Sequence, residues 1–270
     1  MTFTGFIGTV VGFPLRLIIS VSVALRIHPN LLTLVGVLIN IAAAWALALG
    51  HFVAAGAIMT LANIFDYIDG KVATALKLSS DFGGFWDSVM DRFSDISLFI
   101  GLIYLYSQRG RTDYVMVTAL AMMFAILTSY TRARAESLVD KCKVGFMERP
   151  ERIVLFMIGA FTNRMAGVLW VILVLSVSTV FARIYFTWRA LQASAGMRVR
   201  FEPERDLPMP FRAFWHSFYW TFERATWQYD VMVVLILAFV WLTPPDWLAD
   251  PMAHGTGPIG FLLRSVFQEF

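Results

Sequence analysis

The chain has 270 residues, of which 58% are hydrophobic and only 15% are charged, and its mean hydropathy is +0.67. Soluble domains are about half apolar and about a quarter charged, so this composition excludes an ordinary soluble protein and predicts an integral membrane protein. The net charge of +3 requires no nucleic-acid partner, because basic loops beside anionic membrane lipids account for it.

Apolar stretches predict an all-α integral membrane protein. The amphipathic stretch 5–25 precedes them and predicts an N-terminal interfacial helix lying on the membrane. A bilayer crossing takes about 20 helical residues, and most of the following stretches are long enough. The predicted helices are 31–50, 52–72, 85–107, 114–131, 152–162, 166–186 and 229–244. The first six form a predicted transmembrane core, and the last is an extra C-terminal transmembrane helix.

Composition divides the chain into three predicted segments. These are an interfacial helix over 1–27, a transmembrane core over 28–190 and a C-terminal extension over 191–270. The extension begins with polar, proline-bearing sequence and continues into an aromatic stretch at 215–222, which predicts a cytoplasmic elbow before the last helix. The single Cys142 excludes an intramolecular disulfide, and the histidines show no zinc-binding spacing.

Basic residues are concentrated in alternate loops. One loop carries Lys71 and Lys77, a second extends over 132–152, and a third extends over 183–224. The intervening loops carry few basic residues. The positive-inside rule therefore places the basic loops, and the ends of the helices beside them, at the cytoplasmic face of the membrane. In a bacterial cell this membrane would be the inner membrane.

Four aspartates interrupt the apolar sequence between the second and third predicted helices. An ionisable residue inside a membrane span is costly and usually functional, and four together repel one another unless a cation lies between them. Residues three or four apart share a helix face, so each pair points in one direction. Glycines around a short polar connection allow the two helices to lie side by side. The aspartates are Asp66, Asp69, Asp87 and Asp91, and the glycines are Gly70, Gly83 and Gly84.

This arrangement predicts a site for one or two divalent cations, Mg2+ or Mn2+, because both prefer oxygen ligands and bind phosphates at the same time. An alternative is a proton or ion relay in a transporter, which also uses intramembrane aspartates. The spacing favours a metal site over a relay, because both pairs lie on adjacent helices and flank the glycine turn.

The motif D-x2-D-G-x2-A-x9-G-x3-D-x3-D, from Asp66 to Asp91, resembles the defining motif of the CDP-alcohol phosphotransferase family. One position departs, since the arginine that follows the alanine in the family is Thr74 here. Upstream, Pro29-Asn30-x2-Thr33-x2-Gly36 looks like the segment that opens the first core helix in these enzymes. The resemblance covers roughly residues 28–190, where the family has six core helices.

The resemblance implies a transferase that moves a phosphatidyl or related group from a CDP-linked lipid to an alcohol and releases CMP, in phospholipid biosynthesis. It implies that Asp66, Asp69 and Asp87 bind the metal ions, with Asp91 as a further ligand or as the catalytic base. Residues implied to line the nucleotide and cofactor side are Thr33, Asp69, Gly70, Ala73, Thr74 and Gly83. A homodimer is expected from the resemblance alone.

Two later segments, 129–136 and 145–152, resemble those of the phosphatidylinositol-phosphate synthase branch, which implies inositol phosphate or another phosphorylated polyol as acceptor. The acceptor's phosphate would be held by Arg132, Arg149 and Arg183, since the guanidinium fork suits phosphate. The alternative is that these arginines follow the positive-inside rule and pair with nearby glutamates. That alternative is favoured for Arg134 and Arg152.

Two other functions remain open from the residues. A membrane prenyltransferase also uses aspartate-rich helices and Mg2+, but the motif order here lacks that family's two well-separated aspartate motifs. A transporter, or a catalytically inactive homologue that acts as a binding protein, is suggested by Thr74. Metal-dependent release of CMP from a CDP-lipid distinguishes the leading hypothesis from both.

Overall fold

A computed structural model of the chain describes residues 18–194, 220 and 226–252. The described residues form helices and turns without any strand, so the all-α prediction is confirmed. A short helical stretch over 18–24 precedes the longer helices. These are α1 Pro29–Ala48, α2 Phe52–Ala75, α3 Asp81–Gln108, α4 Thr112–Glu136, α5 Arg149–Thr162, α6 Met165–Ser194 and α7 Trp227–Leu242. Most of the predicted interfacial helix and of the elbow at 215–222 lies outside the described residues.

Four helices are long and apolar enough to cross a membrane, namely α1, α2, α4 and the Met165–Gln192 part of α6. The protein is therefore an integral membrane protein. The 28-residue α3 carries the second aspartate pair, and α5 and α7 have only 14 and 16 residues. Since a crossing takes about 20 residues, the six-helix core and the extra C-terminal crossing stay predictions.

The chain divides into two compact units, Met1–Leu105 and Tyr106–Phe270. In the first unit, α1 packs along α2, and Leu32 of α1 is buried in one cluster with Ile68 and Val72 of α2. Helix α3 approaches α1 so closely at Gly101 that a Cβ there would lie 2.3 Å from the carbonyl oxygen of Ala44. These contacts hold the beginning of α1 beside the end of α2.

The connection between α2 and α3 is shorter than the sequence indicated. The sequence predicted that the third helix begins at residue 85, after Gly83 and Gly84, but α3 begins at Asp81 and both glycines lie within its first turn. The reason is a side-chain cap, because the amide of Gly83 donates a hydrogen bond of 3.1 Å to Ser80 Oγ and thereby starts the helix early. The two glycines therefore supply a smooth helix surface and do not form the turn.

In the second unit, α4, α5 and α7 all pack against α6. The segment between α4 and α5 is fixed to α6 at Gly145, whose φ of +92° is in the left-handed region. A Cβ at Gly145 would lie 2.4 Å from Thr179 Cγ2, and the amide of Met147 donates a hydrogen bond of 3.1 Å to Thr179 Oγ1. Glycine is thus required where this segment lies against α6.

Cys142 lies in the same segment and is fully buried among Ala135, Val144 and Ala182. Burial raises the pKa of the Cys142 thiol, because a thiolate would lose its hydration there. The only cysteine of the chain is therefore a packing residue.

The C-terminal extension contacts the rest of the second unit at several points. The hydroxyl of Tyr114 on α4 donates a hydrogen bond to the carbonyl of Leu248. Asn163, in the left-handed conformation that ends α5, donates a hydrogen bond of 3.0 Å to the carbonyl of Met252. Arg164 Nη1 donates one of 3.3 Å to the carbonyl of Thr243. The segment that follows α7 is therefore anchored to α4 and to the connection between α5 and α6.

Candidate active site

Three of the four aspartates converge in the first unit. Asp66 and Asp69 lie one turn apart near the end of α2, and Asp87 lies near the beginning of α3. One carboxylate oxygen of each lies within 4.8 Å of the corresponding oxygens of the other two. Asp69 is buried, and the other two are half-buried. Three carboxylates so close together repel one another, and such a set of oxygen donors fits a divalent cation of the Mg2+ or Mn2+ type.

A hydrogen bond from α1 orients the most buried of these aspartates. Thr33 Oγ1 donates to Asp69 Oδ2 at 2.5 Å, across 36 residues of sequence. The Thr33 hydroxyl also lies 3.2 Å from the carbonyl of Pro29, one turn earlier on the same helix. The proline and threonine at the start of α1 thus support the metal-binding group of α2.

A cavity of about 260 Å³ lies beside these carboxylates. It contains most of the residues predicted for the nucleotide side, and a Cβ at Gly70 would project from α2 without meeting any atom within 4 Å. The sequence offered no signal for Leu78, which lines the cavity as well. The lining residues are Pro29, Asn30, Thr33, Asp69, Gly70, Ala73, Leu78, Ser79, Ser80, Gly83, Gly84 and Asp87.

Two predicted site residues, Thr74 and Asp91, belong neither to the group of three carboxylates nor to the cavity lining. Thr74 is exposed, and its hydroxyl donates a hydrogen bond of 2.9 Å to the carbonyl of Gly70 on its own helix, so it does not line the cavity. Asp91 lies one turn after Asp87 on α3 and is not part of the group of three carboxylates. Its two predicted roles, metal ligand and base, both stay predictions.

The second unit brings two of the three predicted acceptor arginines to one carboxylate. Glu148 Oε1 accepts hydrogen bonds from Arg132 Nη1 at 2.7 Å and from Arg183 Nη2 at 3.2 Å. Arg132 Nε also donates to Glu136 at 3.1 Å, one turn further along α4. Glu148 is therefore the centre of this network, although the sequence marked it only as an ion-pair partner.

The three predicted arginines differ in accessibility. The side chain of Arg183 is 2% exposed, and its guanidinium also donates to the carbonyls of Val144 and Thr128. The side chain of Arg132 is 35% exposed, and Arg149 is half-buried at the start of α5. Arg132 and Arg149 are thus the more accessible to a ligand, while Arg183 ties neighbouring backbone segments together.

For Arg134 and Arg152 the sequence favoured residues that follow the positive-inside rule and pair with nearby glutamates. Arg134 is exposed and donates a hydrogen bond of 3.2 Å to Ser137 Oγ. Arg152 is 2% exposed, and its Nη1 donates a hydrogen bond of 3.0 Å to Thr128 Oγ1 on α4. Arg152 is therefore a buried arginine, and the Thr128 hydroxyl on α4 accepts a hydrogen bond from its guanidinium.

Comparison with known proteins adds an independent line of evidence. The sequence model of the CDP-alcohol phosphatidyltransferase family matches residues 26–188. The archaetidylinositol phosphate synthase of Pyrococcus horikoshii is 33% identical over 180 residues, which are 66% of this chain and 93% of that protein. The phosphatidylinositol phosphate synthase of Mycobacteroides abscessus is 32% identical over 166 residues, which are 58% of this chain and 76% of that protein.

Solved structures show the same fold. The phosphatidylinositol phosphate synthase of Mycobacterium tuberculosis with CDP-DAG bound superposes with a TM-score of 0.61 at 25% identity, over 64% of this chain and 93% of that one. The same enzyme in complex with manganese and citrate superposes with a TM-score of 0.57 at 26% identity, over 63% and 87%. The residues matched by the family model, 26–188, include the whole aspartate motif and both arginine segments. The chain therefore belongs to the CDP-alcohol phosphatidyltransferase family, and it is a divalent-metal-dependent transferase.

Proposed function

We propose that this enzyme transfers a phosphatidyl group from CDP-diacylglycerol, or a related CDP-linked lipid, to a phosphorylated polyol of the inositol phosphate class, with release of CMP. The observation that carries the proposal is the convergence of Asp66, Asp69 and Asp87 beside a cavity of about 260 Å³. The relatives are synthases of archaetidylinositol phosphate and phosphatidylinositol phosphate, which supports the acceptor class. Family membership favours this function over the prenyltransferase and transporter alternatives.

On the donor side, Asp66, Asp69 and Asp87 would hold the divalent cation, with two ions as our proposal. Bound there, the metal would supply neutralisation of the negative charge on the diphosphate and on the departing CMP. Thr33 keeps the Asp69 carboxylate oriented through the hydrogen bond of 2.5 Å. The small residues Gly70, Ala73 and Gly83 leave room for the nucleotide beside α2 and α3. Thr74 contributes no charge, so the family's arginine has no counterpart at this position.

Asp91 is proposed as the base that removes the proton of the acceptor hydroxyl. We expect Asp91→Asn to lower turnover by roughly 10²–10⁴-fold, the usual contribution of a general base. Binding of the CDP-lipid and of Mn2+ should persist, because Asp91 lies outside the group of three carboxylates. CMP release and equilibrium Mn2+ binding measure the two effects. Turnover that equals the wild type would show that Asp91 is not the base.

On the acceptor side, we propose that Arg132 and Arg149 bind the phosphate and that Arg183 contributes by holding Glu148 and the backbone around it. Arginine suits phosphate because its fork donates two parallel hydrogen bonds. Arg132 already donates hydrogen bonds to the carboxylates of Glu136 and Glu148, so its guanidinium is oriented to bind anions.

The test of the function is CMP release from CDP-diacylglycerol by the purified protein with Mg2+ or Mn2+. Inositol 1-phosphate, glycerol 3-phosphate, inositol and serine serve as candidate acceptors. We expect release that requires both the metal and a phosphorylated acceptor. Absence of turnover with every acceptor would contradict the proposal, and turnover with an unphosphorylated alcohol alone would contradict the acceptor class.

The acceptor site has its own test. We expect Arg132→Ala to raise the KM for the phosphorylated acceptor by roughly 10- to 100-fold, the size of one or two lost charge-assisted hydrogen bonds. The KM for the CDP-lipid should stay unchanged. Arg134→Ala is the matched control, since Arg134 is an exposed arginine on the same helix. Equal effects of the two substitutions would show that Arg132 acts only through general charge.

The finer architecture is also a proposal. We propose an interfacial helix over 1–27, a six-helix membrane core over 28–190 and an extension over 191–270 with one further crossing. The active site would face the cytoplasm, and the enzyme would be a homodimer. The basic loops support this orientation. Helix α7 has 16 residues, so its crossing requires residues from its flanks.

A further inference from the structure

The C-terminal extension lies beyond the part of the chain that the family model matches, which ends at residue 188. Two of its aromatic residues nevertheless pack against the segment that precedes α5. Trp220 contacts the ring of Phe146 edge-on at 5.0 Å between ring centres, and Tyr229 contacts the same ring at 5.4 Å. Phe146 and Trp220 are both buried, so this is a packed contact.

Phe146 belongs to a segment that is held from several directions. Its neighbour Gly145 lies against Thr179 on α6, and the amide of Met147 donates to the same threonine. Two residues after Phe146, Glu148 receives hydrogen bonds from Arg132 and Arg183. A displacement of Phe146 would therefore also move Glu148, two residues later, and with it the hydrogen bonds to Arg132 and Arg183.

Tyr229 makes a second, polar contact with the same region. Its hydroxyl donates a hydrogen bond of 3.0 Å to Glu151 Oε1 across 78 residues of sequence. Glu151 is only 8% exposed, and a buried carboxylate is destabilising unless hydrogen-bond donors surround it. Tyr229 itself is fixed in place because its amide donates to the side chain of Thr226, the N-cap of α7.

We propose that Tyr229 is a positioning residue for the acceptor site. It holds Glu151, and with it the first turn of α5, in the orientation that presents Arg149 to the acceptor's phosphate and Glu148 to Arg132 and Arg183. In this chain the extension thus completes a site whose other residues all lie within the family core. This inference rests on the proposed function.

The test is the substitution Tyr229→Phe, which removes the hydroxyl and keeps the ring against Phe146. We expect the KM for inositol 1-phosphate to rise roughly tenfold, the effect of losing one hydrogen bond to a charged group. The kcat and the KM for CDP-diacylglycerol should stay close to those of the wild type, while the unfolding temperature should fall slightly because buried Glu151 loses one hydrogen-bond donor. A merely structural role would lower the unfolding temperature without a selective change in the acceptor KM.

Tyr114→Phe is the matched control. It also removes one tyrosine hydroxyl that links the core to the extension, but that hydroxyl donates to the carbonyl of Leu248 and not to the segment that carries Glu148 and Glu151. The acceptor KM should not change in this variant. In an Arg132→Ala background, Tyr229→Phe should add little, because both changes act on one network.

The outcomes separate the inference from the function on which it rests. A wild type that uses inositol 1-phosphate, with the same KM in Tyr229→Phe, would overturn the inference and leave the proposed function standing. Equal increases in Tyr229→Phe and Tyr114→Phe would overturn it too, since they would indicate general docking of the extension. A wild type without turnover on any phosphorylated acceptor would overturn the function and the inference together.

Discussion

Replacement of Asp69 by asparagine is expected to lower turnover by at least about 10³-fold, which corresponds to a loss of roughly 4 kcal/mol of transition-state stabilisation. Asp69 is the most buried of the three converging carboxylates, and Thr33 orients it. The substitution removes one negative charge and a metal ligand while keeping the shape of the side chain and an oxygen for the Thr33 hydroxyl. The loss should therefore come from metal binding and not from unfolding.

Equilibrium binding of Mn2+ to the detergent-solubilised protein is the direct measurement, with CMP release beside it. Asp81→Asn is the control, because Asp81 is an exposed aspartate at the start of α3 that does not line the cavity. Only Asp69→Asn should weaken Mn2+ binding, and the two variants should share the unfolding temperature of the wild type. Unchanged Mn2+ affinity in Asp69→Asn would rule out a metal site at these three aspartates.

Gly145→Ala is expected to lower the free energy of unfolding by about 2–5 kcal/mol. A side chain at a φ in the left-handed region costs about 1–2 kcal/mol, and overpacking adds about 1–3 kcal/mol. Both terms apply, since the φ of Gly145 is +92° and a Cβ would lie 2.4 Å from Thr179 Cγ2. Relief of the clash would displace the segment that carries Glu148, so the acceptor KM should rise as well.

Thermal unfolding in detergent, with Gly110→Ala as control, separates the two causes. Gly110 also has a positive φ, of +65°, but a Cβ there would meet no atom within 4 Å. Gly110→Ala should therefore show only the backbone cost, and the difference between the variants measures the contact with Thr179. Equal unfolding temperatures for the two variants would mean that a Cβ at position 145 causes no costly overpacking against Thr179.

Much of the site follows from local pattern. The aspartate spacing placed Asp66 with Asp69 on one helix face, and a helix repeats its faces whatever it packs against. The predicted start of the third helix at residue 85 was too late, so Gly83 and Gly84 were left outside the helix that contains them. The side-chain cap from Ser80 decided where this helix begins. Whether a serine caps a helix depends on how the chain enters that helix.

The sequence by itself determined the membrane environment, the all-helical fold and the presence of a carboxylate metal site, because each depends on composition or on spacings of a few residues. The tertiary structure alone decided which partners meet across long stretches of chain. Thr33 reaches Asp69 across 36 residues, Arg183 reaches Glu148 across 35, and Tyr229 reaches Glu151 across 78. Such contacts leave no periodic trace in the sequence, since they depend on how the helices pack and not on the order of residues within any one of them.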